Sequence, residues 1–390
     1  MVPVTSGTST LEERVARRAV RRSQVRRRRT VALAVVLGLA ALVAGVVASS
    51  GDDSPRQAAT PEPATPTKPR PVPAVATADP LGSGRPVTLA FGGDIHFESP
   101  IREQLARSPA SVLGPIASML EEADLSVVNL ETAVTSGGSP AAKEYTFRAP
   151  ASAFDALRLG GVDVANLANN HGMDFGTSGL RDTLTAARRA GVPVIGAGSD
   201  GRRAYEPYRA TLKGQRIAVI GATQVLDDHL ISAWSAGPGD PGLASAKNEP
   251  RLVQAVRQAR RTSDTVVVFL HWGTELESCP TGVQRSLART LAAAGADVIV
   301  GSHAHVLSGA GTLGKAFVAY GLGNLVFYAS RELTSRSGVV EVTVTGRRID
   351  GYRFRPARIS GGIPYPLTGA ERDEAIRSWR ALRSCTGLRG

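Results

Sequence analysis

Two runs, TVVVFL (265–270) and DVIVG (297–301), are almost wholly apolar and rich in β-branched residues. Strands of that kind are buried on both faces, so they belong inside a sheet with other layers above and below. VTLAF (87–91), LSVVN (125–129), DVANL (163–167), VPVIG (192–196) and RIAVIG (216–221) are further strand candidates. Amphipathic stretches at 114–123, 151–160, 178–190, 250–262 and 282–294 lie between them and read as helices. The alternation predicts an α/β layered fold with buried sheets. Later the pattern changes. AFVAYG (316–321), GVVEVTVT (338–345) and GYRFRP (351–356) have few helices between them and are expected to be hairpin strands completing a second sheet.

Three segments precede this region. Residues 1–29 carry nine arginines against two glutamates and read as a cytoplasmic basic arm, suited to contact with anionic lipid. Residues 30–49 read as a transmembrane helix: Thr30 to Ala48 is a run of 19 uncharged residues. At ~1.5 Å per residue that is roughly 28 Å, close to a bilayer's hydrocarbon thickness. With arginines on one side only, the N-terminus is expected in the cytoplasm and the rest outside. Val47-Ala48-Ser49 would also pass as a signal-peptidase site. A signal's apolar region is usually only about 7–15 residues, which favours an uncleaved single-pass anchor. Residues 50–86 contain nine prolines among Ser, Thr and Ala and read as a disordered, semi-rigid linker. The folded domain is then 87–365, followed by a C-terminal helical extension at 366–390.

Net charge has to be read against this layout. Of the formal +12, the arm holds +7 and residues 87–390 only +5. No basic stripe with interleaved aromatics is present, so nucleic acid is not an expected partner. Cys279 and Cys385 both lie in the exported part, where a disulfide is permitted. Sequence does not fix their separation. A metal-binding thiol is the other role, disfavoured because Cys279 has no cysteine close by.

Polar residues cluster at strand ends. VTLAF runs into GGDIH, with Asp94 and His96; LSVV into NLE, with Asn129 and Glu131; DVANLA into NNHG, with Asn169, Asn170 and His171; TVVVFL into HWG, with His271; and DVIV into GSHAH, with His303 and His305. The carboxyl edge of an α/β sheet is where ligands bind. Each piece alone has a local structural explanation. Asp94 could form a turn or cap, Asn169-Asn170 could form a turn, Glu131 could cap the next element, and His271 beside Trp272 could sit satisfied in the core. Five strand ends together are a stronger signal. Only His229, of six histidines, falls elsewhere, in a polar loop that reads as surface.

Two carboxylates, an amide and several imidazoles suit Mn, Fe or Zn rather than Ca or Mg. In extended chain, residues i and i+2 point to the same side. Asp94 with His96 could therefore grip one ion, and His303 with His305 could share an ion or hold one each. Seven candidate ligands exceed the four to six that one ion takes, so two divalent ions are the economical reading, with Asp94 or Glu131 as the bridge. Glu275 and Glu277, just after HWGT, read as a solvated loop, with a substrate cation or the surroundings of a ligand as the other reading.

Taken in order, GGDIH, NLET, ANNHG, LHWG, GSHAHV and GLGNLVF resemble the CapA family of capsule and poly-γ-glutamate biosynthesis proteins, related to the calcineurin-like metallophosphoesterases. The resemblance covers about residues 87–330. It implies a four-layer metallophosphoesterase-like sandwich of two mixed sheets flanked by helices. It also implies one metal held by Asp94, His96, Glu131 and His305, and a second by Glu131, Asn170, His271 and His303. His171 would face the substrate as proton donor or charge stabiliser. The usual bridging aspartate is here Glu131, one methylene longer. Many CapA-like chains lack a histidine at the place of His96, so the first metal position is expected to be more complete in this chain.

The expected function is an extracytoplasmic, membrane-anchored phosphoesterase working in capsule, poly-γ-glutamate or other cell-envelope polymer synthesis. A metal-activated hydroxide would attack a phosphoester of the polymer or its phosphorylated precursor. Cleavage of a γ-glutamyl amide is open to the same chemistry. The alternative is a non-catalytic assembly or export factor that binds an anionic polymer. Capsule synthesis or export proteins are expected partners in either case.

Overall fold

The computed structural model describes residues 81–329 and 331–390. The expected basic arm, the membrane span and the linker up to residue 80 lie outside them. Among the described residues no helix is long and apolar enough to cross a membrane.

Two sheets form the centre. The first contains β1 (Val87–Ile95), β2 (Leu125–Leu130), β3 (Val164–Asn166) and β4 (Val194–Ile195), side by side and parallel. The second contains β5 (Tyr208–Leu212), β6 (Gln215–Thr223), β7 (Thr265–Trp272), β8 (Val298–His303), β9 (Ala310–Leu313) and β10 (Ala316–Ala319), in the order β9-β10-β8-β7-β6-β5. Its β6, β7, β8 and β10 are parallel, with antiparallel edges at β5 and β9. Three late strands join the first sheet. β11 (Asn324–Val326) pairs parallel with the end of β1, β12 (Arg336–Thr345) antiparallel with its start, and β13 (Arg348–Ser360) antiparallel with β12. A final strand, β14 (Ile363–Pro366), flanks β13.

This corrects one expectation. The strands at 338–345 and 351–356 extend the first sheet, and only the strand at 316–319 belongs to the second. The apolar pattern shows that a strand is buried, but not which neighbour it pairs with.

Side-chain alternation explains why the strand sequences are apolar throughout. Leu89, Phe91 and Val127 face Val219, Val267, Phe269 and Val300 in a core between the sheets. The residues between them face outward. Ala90, Val128 and Leu130 pack against helices α1 (Ile101–Arg107), α2 (Ser152–Leu159) and α3 (Gly176–Ala190) through Leu105, Phe154, Leu157 and Leu180. Val266, Val268 and Leu270 pack against α4 (Glu249–Thr262) and α5 (Gly282–Ala294) through Leu252, Val256, Leu287 and Leu291. The layer order is helix, sheet, sheet, helix. Each fully buried Val, Leu or Phe contributes about 1.5–3 kcal/mol to holding the layers together.

The helix expected at 114–123 is broken instead, into Pro109–Leu113, a 3-10 turn at Gly114–Ile116 and Ala117–Glu121. Pro115 lacks the N–H that a continuous helix would need there. Helix α6 (Gly369–Ala381) lies in the C-terminal extension and stacks Trp379 on Phe354 of β13, with ring centroids 4.9 Å apart. Cys279 and Cys385 form a disulfide with Cα atoms 5.7 Å apart, which closes a loop of 106 residues and settles the role left open by the sequence. Cys385→Ser should cost about 2–4 kcal/mol of stability by releasing that loop in the unfolded chain. The check is the urea midpoint; an unchanged midpoint would mean the tether does not stabilise the fold.

Candidate metal centre

The carboxyl ends of β1, β2, β7 and β8 converge on one pocket of buried polar groups. Asp94, Asn129, Glu131 and His271 have no solvent exposure, and His303 is 6% exposed. Parallel pairing sets Asp94 opposite Asn129, and His271 opposite Ser302. At Gly92-Gly93, β1 leaves β12 and takes β11 as its neighbour. A Cβ on Gly93 would lie 1.8 Å from the Gly323 carbonyl oxygen, so only glycine permits that approach. Asp94 N–H then donates to the same oxygen at 3.0 Å, which fixes the carboxylate at the strand end.

Asn129 is the hub. Its Nδ2 donates to Asp94 Oδ1 at 2.8 Å and also faces His271 Nδ1 at 3.2 Å. Its Oδ1 accepts from Asn166 Nδ2 at 2.9 Å and Asn169 Nδ2 at 3.1 Å. The main-chain N–H of His303 donates to Asp94 Oδ2 at 3.1 Å, and so ties the second sheet to the first.

Glu131 Oε1 differs from its neighbours: it is buried without a hydrogen-bond partner. Three imidazoles surround it, with Nε2 of His271 at 3.5 Å, of His305 at 3.9 Å and of His171 at 4.0 Å. His303 Nδ1 is likewise buried and unpartnered. One ligand atom each from Glu131, His271 and His303 lie within 4.8 Å of one another, and the same holds for Asp94, Glu131 and His305. Glu131 is the shared member of both groups. Asn170 Oδ1 lies 2.7 Å from His271 Nε2, beside the first group.

The extended i, i+2 geometry expected for His303 and His305 does not hold. His303 has φ +98° and His305 φ +56°. The chain turns through the left-handed region here, and that turn leaves the two ring centroids 6.0 Å apart. Backbone of this kind costs about 1–3 kcal/mol per residue and persists where surrounding contacts enforce it. His96 departs further. Its ring is enclosed by Phe147, Phe327 and Tyr328, and its two nitrogens face the main-chain N–H groups of Glu98 at 3.3 Å and Tyr328 at 3.0 Å. It belongs to neither group above.

His171 Nδ1 lies 2.6 Å from Asp174 Oδ2. Asp174 is paired through its other oxygen with Lys143 at 3.1 Å, so the carboxylate accepts and the imidazole donates. That tautomer leaves Nε2 of His171 facing the Glu131 side. Phe147 stacks on the His171 ring at 3.9 Å and shields one face from water.

Burial governs the charges. It pushes Asp94 up, but the hydrogen bond and charge of His305 outweigh it and hold the carboxyl below its usual range. Burial pushes His305 down, and Asp94 more than restores it. These two, 3.3 Å apart, form a charged pair. Burial, then the charge of Asp94, raises Glu131 well above its ordinary value. Burial, then neighbouring imidazoles, holds His271 well below normal and His303 at about 3. His271 and Glu131 are therefore close without being an ion pair, and the imidazoles of His271 and His303 are neutral, the form that ligates metal.

A family model described as bacterial capsule synthesis protein PGA_cap matches residues 88–329. The chain belongs to this family. It is 30% identical to the capsule biosynthesis protein CapA of Bacillus anthracis over 73% of this chain and 70% of that protein. It is 29% identical to the PGA biosynthesis protein CapA of Bacillus subtilis over 72% of this chain and 74% of that one. Among solved structures, sulfate thiohydrolase SoxB of Thermus thermophilus is 15% identical, with 76% of this chain and 60% of that chain covered at a TM-score of 0.42. An overlap that low assigns neither site nor activity.

Within this PGA_cap chain, sequence reasoning did not give Asn166, Ser302, Asn324, Asp174 or Lys143 a part. Asp174 carried a readable signal, three residues after His171 in NHGMD. Asn324, in GLGN, faces His305 Nδ1 at 2.9 Å, and Ser302 Oγ faces His271 Nδ1 at 3.0 Å. His229 is exposed, and its Nε2 faces the Ala142 carbonyl. Asn129→Ala would leave Asp94, Asn166 and Asn169 each short of a buried partner. The expected loss is about 2–4 kcal/mol in urea unfolding; a loss under about 0.5 kcal/mol would remove Asn129 from the centre of the network.

Proposed function

We propose that this chain is a two-metal hydrolase of the phosphoester type, acting in capsule synthesis on a cell-envelope polymer or its phosphorylated precursor. The observation that carries the reading is the Glu131 carboxylate oxygen, buried without a hydrogen-bond donor among three imidazoles. A buried acceptor is expected to have a partner. A divalent cation is the partner that this donor set fits: it would take oxygen from Glu131 and nitrogen from the neutral imidazoles of His271 and His303, and on binding would displace any proton that Asp94 favours on His305. Asp94, Glu131 and His305 would hold one ion. Glu131, Asn170, His271 and His303 would hold the other.

Bound divalent ions supply Lewis acidity there, lowering the pKa of water and drawing charge from phosphoryl oxygens. The chain's own residues do the rest. Asp174 orients His171, and Lys143 holds Asp174. Nε2 of His171, once it too carries a proton, would be the atom that gives that proton to the leaving oxygen. Phe147 keeps the ring from rotating and excludes water from its face. Asn129 fixes Asp94 and His271 in place.

The reading includes an N-terminal anchor at residues 30–48 with the catalytic domain outside the membrane. The Cys279–Cys385 disulfide supports an oxidising compartment. A second reading, a polymer assembly or export factor, is favoured by the names of the Bacillus relatives, which state biosynthesis and not hydrolysis.

Elemental analysis of the purified chain tests the proposal. Two ions of Mn, Fe or Zn per chain are expected, with loss of metal in His303→Ala. His171→Ala should keep the metal and lose at least about 100-fold in aryl-phosphate hydrolysis. A wild-type chain that binds no metal would sink the proposal. Polymer output undiminished in His171→Ala would favour the assembly reading.

A further inference from the structure

The two groups of ligand atoms leave the ions unequally served. His271, His303, Glu131 and Asn170 gather on one side, four residues in all. Asp94, Glu131 and His305 are only three on the other, because His96 is turned into its aromatic enclosure. A Zn-like or Mn-like ion takes at least four ligands. A further carboxylate stands beside both groups. Glu275 brings an oxygen to within 4.8 Å of ring nitrogens of both His303 and His305.

We infer that Glu275 is an additional metal ligand, supplied from the loop after β7 and acting with His303 and His305. The inference rests on the two-metal reading. Glu275 is exposed, so its carboxylate is not needed to build the core. The loop that carries it is nevertheless tightly held. Gly273 has φ +102°, and a Cβ there would come within 2.8 Å of the Gln284 side chain. Leu276 adopts φ +64°, and its N–H donates to the Ala304 carbonyl at 2.8 Å. Ala304 is the residue between the two histidines, so the neighbour of Glu275 is bonded to the peptide between its own partners. Four residues on, Cys279 anchors the loop to Cys385. His303 Nδ1, buried and unpartnered in the same group of residues, is an open ligand position within this arrangement. An ordinary solvated loop requires none of these restraints.

The test is metal affinity, measured on the full chain by titrating Mn²⁺ against a competing chelator. Glu275→Gln should weaken one of the two ions by about 10-fold or more while leaving the other nearly unchanged. The melting temperature of the metal-free chain should not move, because the side chain is exposed. Glu277→Gln removes the same charge two residues away and should bind as wild type does. If Glu275→Gln stays within about twofold of wild type for both ions, the inference is overturned and the two-metal reading stands. If Glu277→Gln loses as much, the effect is general electrostatics and the inference is again overturned. A wild-type chain that binds no Mn²⁺ would overturn both.

Discussion

Asp94 and Glu131 are two carboxylates buried side by side with no access to water, and the site is organised around that fact. An isolated buried charge is costly unless it is paired and hydrogen-bonded. Asp94 is compensated in full. It accepts from the Asn129 amide and the His303 main chain, and it stands 3.3 Å from His305, whose pKa it raises. Glu131 is compensated only partly. One oxygen lies near Asn129 Nδ2 at 3.4 Å, and the other has no donor at all. The asymmetry is chemical as well as geometric. Asp94 holds its charge, while burial and the charge of Asp94 push Glu131 toward its neutral form. A cation between them would reverse that second effect, since opposite charge close by favours the carboxylate.

The fold makes this arrangement possible by bringing two parallel sheet edges together. Parallel strands end on a common edge, so residues distant in sequence arrive at one place without long loops. The approach is closest where Gly93 meets Gly323, and any side chain there would push the Asp94 strand end away from the others. The second sheet answers with strain. His303 and His305 both occupy left-handed backbone, where a histidine gains nothing locally. That conformation persists because the His303 N–H is held by Asp94 across the interface and the Ala304 carbonyl is held by Leu276. The two sheets are therefore joined at the site by polar contacts as well as by the apolar core beneath it.

The sequence made the sheet interiors legible because burial on both faces leaves a plain mark, as in TVVVFL. The positions of Asp94, Glu131, His271, His303 and His305 could also be read, since each follows such a run. Pairing could not. GVVEVTVT is rich in β-branched residues like the second-sheet strands, yet it lies beside β1, because partner choice is decided by the tertiary register. Side-chain direction was harder still. His96 has the same i, i+2 relation to Asp94 that His305 has to His303, but Phe147, Phe327 and Tyr328 enclose its ring. The asparagine network was invisible because its logic lies in which strands are neighbours. Asn129 and Asn166 are opposite one another only once β2 and β3 are paired.

The charge around the site bears on both readings of function. Asp94 and Glu131 lie inside, and Glu275 stands at the outer side near His303 and His305. Lys143 is engaged by Asp174 and Asp227. A phosphoester and a polyglutamate chain are both anionic, and each would meet the carboxylates of Asp94, Glu131 and Glu275 at this site. Unscreened repulsion between like charges at such distances, in a partly buried site, amounts to kilocalories per mole. On both proposed readings divalent cations would have to be in place before an anionic partner could enter. Under either proposal metal occupancy would come first, and the two would separate only at His171, whose proposed proton chemistry a binding protein would not use.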